Sequence, residues 1–141
     1  MPFELEFYNH GVVIKLFGFV TNDELITVNH KINCHDYPAK LQFELIDMRK
    51  VDEIPSSMET ARFLGERDRE LAKESGQRRH IVLVAPSRGR APSILWQVWA
   101  KDPNTEDPAI VTKLVRTARH ARDWLKQQEI DTSSLVLSDI A

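Results

Sequence analysis

The sequence predicts an α/β fold, a mainly parallel sheet of about five strands with four main helices in the order β-β-α-β-α-β-α-β-α and an N-terminal hairpin at its edge. Three observations predict it. Short apolar or alternating runs of strand length recur along the chain, separated by longer stretches whose apolar residues follow the helical period. Two of those longer stretches open on a capping-box signature, Thr21-Asn22-Asp23-Glu24 and Ser56-Ser57-Met58-Glu59. The linkers are short enough that each strand-helix-strand step is expected to be a right-handed crossover between parallel strands.

Phe3-Glu4-Leu5-Glu6-Phe7 alternates as a half-buried strand does, and Asn9-His10-Gly11 turns it into a second run, Val12 to Val20, making a hairpin. Thr21 caps a helix in which Leu25, Val28 and Ile32 share one face as far as about Asn33, and Tyr37-Pro38 ends the turn that follows. Leu41, Phe43, Leu45 and Ile46 have the bulk of a sheet strand, with Asp47 at its end facing the carboxyl edge where open α/β sheets place their working groups. Pro55 keeps Ile54 out of helix, and Ser56 opens a helix from Ser57 to about Ser75. In it Met58, Ala61, Leu64, Leu71 and Ala72 face the sheet, Glu59, Arg62, Glu66, Arg69 and Lys73 face water, and Gly76 stops it.

His80 to Ala85 contains Ile81-Val82-Leu83-Val84, apolar without alternation and therefore expected to be covered on both faces. Pro86 to Arg90 is a loop, and Ala91 to Lys101 a helix with Pro92 in its first turn. Pro103 and Pro108 bracket a turn before the strand Ile110 to Val115, and Thr117 caps a last helix, Ala118 to Gln128, with Ala121, Trp124 and Leu125 on its inner stripe. Residues 1–128 form the expected domain, and 129–141 a tail carrying Leu135-Val136-Leu137 after a Ser-rich turn.

The totals bound the function. A chain of 141 residues with 42% hydrophobic and 28% charged residues is sized and balanced for one globular domain. A formal net charge of −2 argues against a dedicated nucleic-acid or anionic-membrane binder. A single cysteine, Cys34, rules out an internal disulfide and suits a reducing cytoplasm. No apolar run has the ~18 residues a membrane span requires, and Met1-Pro2-Phe3-Glu4 does not begin a signal peptide, so the expected setting is cytoplasmic.

The residues that could carry chemistry gather in a few places. Ser56 and Ser57 stand at a helix start, where unpaired N–H groups and the helix dipole welcome an anion, although helix capping alone accounts for Ser56. Asp47, Asp52 and Glu53 crowd the same edge, as an interaction surface on a solvated loop more readily than as cation ligands. Ser87, Arg88 and Arg90 are a second candidate anion site, without the glycine spacing of a nucleotide loop. His30, Cys34 and His35 lack the further ligand pair a metal site needs, so solvated imidazoles and a partly buried thiol are expected there. Arg116, Arg119 and Arg122 recur every third residue, as a solvated face does. Trp96 and Trp99 lie on a helix apolar around more than half its circumference, which needs a cover: a second copy, the tail, or an apolar ligand. No complete catalytic constellation, metal set or cofactor motif can be assembled, so no enzyme and no cofactor are expected.

The stretch Leu41 to Leu64 resembles the STAS domains, and more closely the small SpoIIAA-like anti-sigma factor antagonists of bacteria. In those proteins a strand ending in Asp leads through a Val-containing loop to a serine pair at a helix start, and the second serine accepts phosphate from a partner kinase. Asp47, Val51 and Ser56-Ser57 match that pattern, while Pro55 and Met58-Glu59-Thr60 depart from the residues that usually flank the serines. The closing pattern Leu114-Val115-Arg116-Thr117 and Ala121-Arg122-Asp123-Trp124-Leu125 is similar too, so the resemblance spans Phe3 to Leu125. It implies a non-catalytic regulatory module whose partner, an anti-sigma-like or kinase-like protein, reads the Ser57 edge, with Ser57 as phosphoacceptor. The alternative is a carrier or sensor of a small molecule or lipid built on Trp96 and Trp99, and a homodimer through that helix is a further expectation.

Overall fold

Strand β1 (Phe3–Tyr8) turns at Asn9-His10 into β2 (Gly11–Phe19), and the two pair antiparallel from Phe3 opposite Leu16 to Tyr8 opposite Gly11. The computed structural model describes residues 2–54, 57–85, 103–104 and 106–135. Helix α1 (Asn22–Cys34) leads to β3 (Phe43–Glu53), α2 (Met58–Ser75) to β4 (Arg79–Val84), and β5 (Ile110–Val115) precedes α3 (Ala118–Gln127). The sheet has five strands in the order β1-β2-β3-β4-β5, with β2, β3, β4 and β5 mutually parallel and β1 the antiparallel edge. Three helices stand among the described residues. The helix expected over Ala91 to Lys101, with Trp96 and Trp99, lies outside them, as do Ser56, the loop with Ser87, Arg88 and Arg90, and the tail from Val136.

Alternation along the strands divides the core in two. On one face Val12, Ile14, Leu16, Ile46, Met48, Ile81, Leu83 and Ile110 pack with Val28 and Ile32 of α1. On the other, Val13, Phe43, Leu45, Val82, Val84 and Val115 pack with Ala118, Ala121 and Leu125 of α3 and with Ile130 and Leu135 beyond it. Both α1 and α2 belong to the first face, since right-handed crossovers that step in one direction across a sheet return on the same side. After β5, α3 folds back over the opposite face. The first and last parts of the chain meet there: His10 Nε2 donates to the carbonyl oxygen of Asp131 at 2.7 Å, and the His10 ring stands edge-on to Phe43, centroids 5.0 Å apart.

The helix ends follow their sequence signals with one shift of register. Thr21 accepts from Glu24 N at 3.2 Å while Glu24 Oε1 accepts from Thr21 N at 3.0 Å, a complete capping box. Gly76 closes α2 at φ 70°, where a residue without Cβ is unstrained, and Thr117 caps α3. At the start of α2 the N-cap is Ser57 and not Ser56: Ser57 Oγ accepts from Thr60 N at 3.1 Å. The helix therefore begins at Met58, which is 52% exposed instead of facing the sheet. No helix among the described residues is long and apolar enough to cross a membrane.

Candidate functional site

Parallel connectivity brings the starts of α1 and α2 to the carboxyl edge of the sheet, and the two starts touch. Ser57 N donates to Asn22 Oδ1 at 3.3 Å, so the first residue of α1 holds the cap of α2. The Ser57 hydroxyl is exposed, accepts from Thr60 N, and shares a hydrogen bond with Thr60 Oγ1 at 2.9 Å. A phosphoryl group on that oxygen would meet the free N–H groups and positive end of an 18-residue helix.

The acids of this edge are arranged differently from the sequence expectation. β3 does not end at Asp47; it runs on to Glu53 because β2 continues alongside, Gly18 pairing with Val51 and Phe19 with Glu53 across register shifts. Asp52 and Glu53 are accordingly exposed strand residues and not loop residues. Asp47 marks the last pairing of β3 with β4, opposite Val84, and is held by Arg49. Arg49 Nε donates to Oδ1 at 3.0 Å, Nη2 to Oδ2 at 2.9 Å, and the Arg49 backbone N–H to Oδ1 at 3.1 Å. Partial burial works to raise the Asp47 pKa, but these bonds, the Arg49 charge and Lys15 outweigh it and hold the carboxyl below its ordinary range. Asp47 is thus a half-buried carboxylate ion-paired within its own strand. Two large apolar side chains stand open at the same edge, Phe19 at 55% and Met58 at 52% exposure.

The residues His30, Cys34 and His35 do not assemble a site. Cys34 is exposed and not partly buried as expected, its Sγ 3.6 Å from the His30 ring nitrogens, while His35 stacks on Phe7 at 3.9 Å between centroids. Among the described residues no three His, Cys, Asp or Glu side chains gather as metal ligands do. Trp124, expected on the inner stripe of α3, is half-buried beside His80.

A polar cluster that sequence reasoning passed over lies beneath α1 and α2 near the amino edge. Glu44, Asp68 and Arg79 are 2%, 1% and 5% exposed. Asn29 Nδ2 and Asn33 Nδ2 donate to Asp68 Oδ1 at 2.9 and 3.0 Å, and Arg79 Nη1 donates to Asn33 Oδ1 at 2.8 Å. The signal was present: Asp68 continues the spacing of Ala61, Leu64 and Ala72 along the buried stripe of α2, and Glu44 interrupts the apolar run from Phe43 to Ile46.

No protein-family model matches the chain, and no curated protein matches it. Two solved structures are similar. One is the anti-sigma factor antagonist SpoIIAA in its unphosphorylated form, 14% identical, with a TM-score of 0.53 over 88% of this chain and 97% of that one. The other is the Bacillus cell fate determinant SpoIIAA in the phosphorylated form, 18% identical, with a TM-score of 0.50 over 87% of this chain and 98% of that one.

Proposed function

The chain has the SpoIIAA fold from end to end of those relatives, and from that premise we propose that it is a non-catalytic regulatory module. It works by protein–protein contact at the carboxyl edge, where Ser57 accepts phosphate. The observation that carries this reading is the exposed Ser57 hydroxyl at the N-cap of α2, on a fold whose relatives are an anti-sigma factor antagonist and its phosphorylated form. Phosphate at Ser57 adds nearly two negative charges at a point where the helix dipole favours them. The same charge stands beside Asp52, Glu53 and Glu59, so it deepens an acidic edge that also exposes Phe19 and Met58. A partner that docks apolar contacts there, of anti-sigma-like or kinase-like kind, is released when the edge gains charge. Asp47 stands at that edge as an ion pair with Arg49.

Intact-mass analysis of the protein isolated from its native cytoplasm, with phosphatases inhibited, tests the modification: one phosphate mapping to Ser57 is expected. Capture experiments with Ser57→Ala and Ser57→Asp test the switch, and the two variants are expected to retain opposite amounts of partner. Equal capture by both, with no phosphate on Ser57, would overturn the reading. The carrier alternative rests on Trp96 and Trp99, outside the described residues, and no observation among the described ones favours it.

A further inference from the structure

Among the described residues, the cluster under α1 and α2 holds two carboxyl groups and one guanidinium, all of them buried. The guanidinium is not shared evenly. Arg79 Nη1 donates to Asn33 Oδ1 and stands 3.6 Å from Asp68 Oδ1, which two asparagine amides also serve. Its distance to Glu44 Oε2 is 3.8 Å, beyond hydrogen-bond reach, and among the described residues no donor reaches that oxygen. A buried carboxylate with one oxygen lacking any donor among the described residues, beside a second carboxylate, is strongly disfavoured, and the least costly remedy is a proton. We propose that Glu44, with Asp68 and Arg79, forms a buried proton-binding site, and that gain or loss of this proton sets how firmly α1 and α2 are seated on the sheet.

The surroundings of Glu44 support this from every side. From α1 come the neutral amides of Asn29 and Asn33, from α2 Asp68, from β4 Arg79, and from the segment before β3 the phenol of Tyr37. The neighbours across the sheet, Val12 and Ile81, are apolar. Burial first, and then the charge of Asp68, push the Glu44 carboxyl up to about 8, while Arg79 pulls the other way. Burial and the Glu44 charge likewise push the Tyr37 phenol up, so Tyr37 stays protonated throughout this range. Near neutral pH the site is therefore occupied, and Glu44 is a neutral acid. Mild alkali empties it and places a negative charge on Glu44 beside Asp68 and Arg79. The groups that feel this first are Asn29, Asn33 and Asp68, the polar ties between the helix pair and β4.

The site lies apart from Ser57, and the inference stands whether or not Ser57 is modified. The test is a titration of the Glu44 side-chain carboxyl carbon by NMR, together with amide exchange along α1 and α2 from pH 6 to 9, corrected for intrinsic rates. Glu44 is expected to titrate several pH units above the ~4.3 of a free glutamate. Amides around Asn29 and Asp68 that exchange by openings exposing Glu44 are expected to lose protection about tenfold per pH unit from pH 6 towards about 8 in the unmodified chain and to stay level in Glu44→Gln. A Glu44 midpoint in the ordinary carboxylate range, or the same exchange profile with and without Glu44→Gln, overturns the proposal. Should Glu44→Gln fail to fold, the titration of the unmodified protein decides alone.

Discussion

Substituting Gly11 by Ala tests the packing at the junction of the hairpin and the second core. A Cβ built on Gly11 would lie 2.2 Å from both Cδ1 and Cε1 of Phe43 and 2.6 Å from Cγ, more than 1 Å inside ordinary contact. Phe43 has nowhere to retreat: it is 0% exposed, the His10 ring abuts it at 5.0 Å, and Leu45, Val82 and Leu125 fill the same core. Overpacking a tight core costs about 1–3 kcal/mol, and the rigid ring puts this site at the upper end. For a domain of this length that is a fall in Tm of about 10 °C, at roughly 4 °C per kcal/mol. Urea unfolding followed by far-UV circular dichroism reads it as a lower midpoint with an unchanged slope. The cause is isolated by repeating the substitution in a Phe43→Val background, where the ring is gone and Gly11→Ala is expected to cost less than about 0.5 kcal/mol. Equal costs in both backgrounds, or a Gly11→Ala protein as stable as the original, would refute the close approach of Gly11 to Phe43.

Three other predictions follow from the same structure. The native state binds the Glu44 proton more tightly than the unfolded chain does, so the Glu44 contribution to stability is complete at acid pH and is lost as pH rises. It is expected to fall by about 1.4 kcal/mol per pH unit as pH rises from near 4.5 towards about 8; urea midpoints at pH 5 and 8 measure it, and Glu44→Gln flattens that contribution. Ser57→Ala removes the acceptor for Thr60 N and is expected to cost about 1 kcal/mol, whereas Ser57→Asp restores the cap; calorimetry that found the two variants equally weakened would remove Ser57 as the N-cap. Leu125→Ala opens a hole between α3 and the sheet, where Leu125 is 0% exposed, and is expected to cost about 2–5 kcal/mol by urea unfolding.

The strands and helix ends were legible in the sequence because their causes are local. Alternation over Phe3 to Phe7, the Thr21 to Glu24 box, Gly76 and Thr117 each act within a few residues, and each stands where those residues put it. The errors came where distant chain decided. Asp47 reads as a strand end because the apolar run stops at Ile46, yet β3 runs on to Glu53 since β2 offers it a partner. The cap of α2 moved from Ser56 to Ser57, a choice between adjacent serines that Asn22 of another helix helps to make. At the candidate site the serine pair was visible and the Asp47–Arg49 ion pair was not, because two residues share a strand face only once the strand is known to run past Asp47. Glu44 left a trace by interrupting an apolar run, but its pairing with Arg79 did not, since a charge in a strand shows its partners only once the sheet is assembled.

The bond from His10 to the Asp131 carbonyl joins the first turn of the chain to a residue 121 positions later. On a ribosome adding about 5–20 residues per second, the hairpin waits on the order of ten seconds for the segment that seals its second face. During that interval Val13, Phe43 and Leu45 are present without Leu125, Ile130 and Leu135, which cover them in the finished domain. A chain that stops short of Leu125 leaves the second face of its sheet, with Val13, Phe43 and Leu45, open to water.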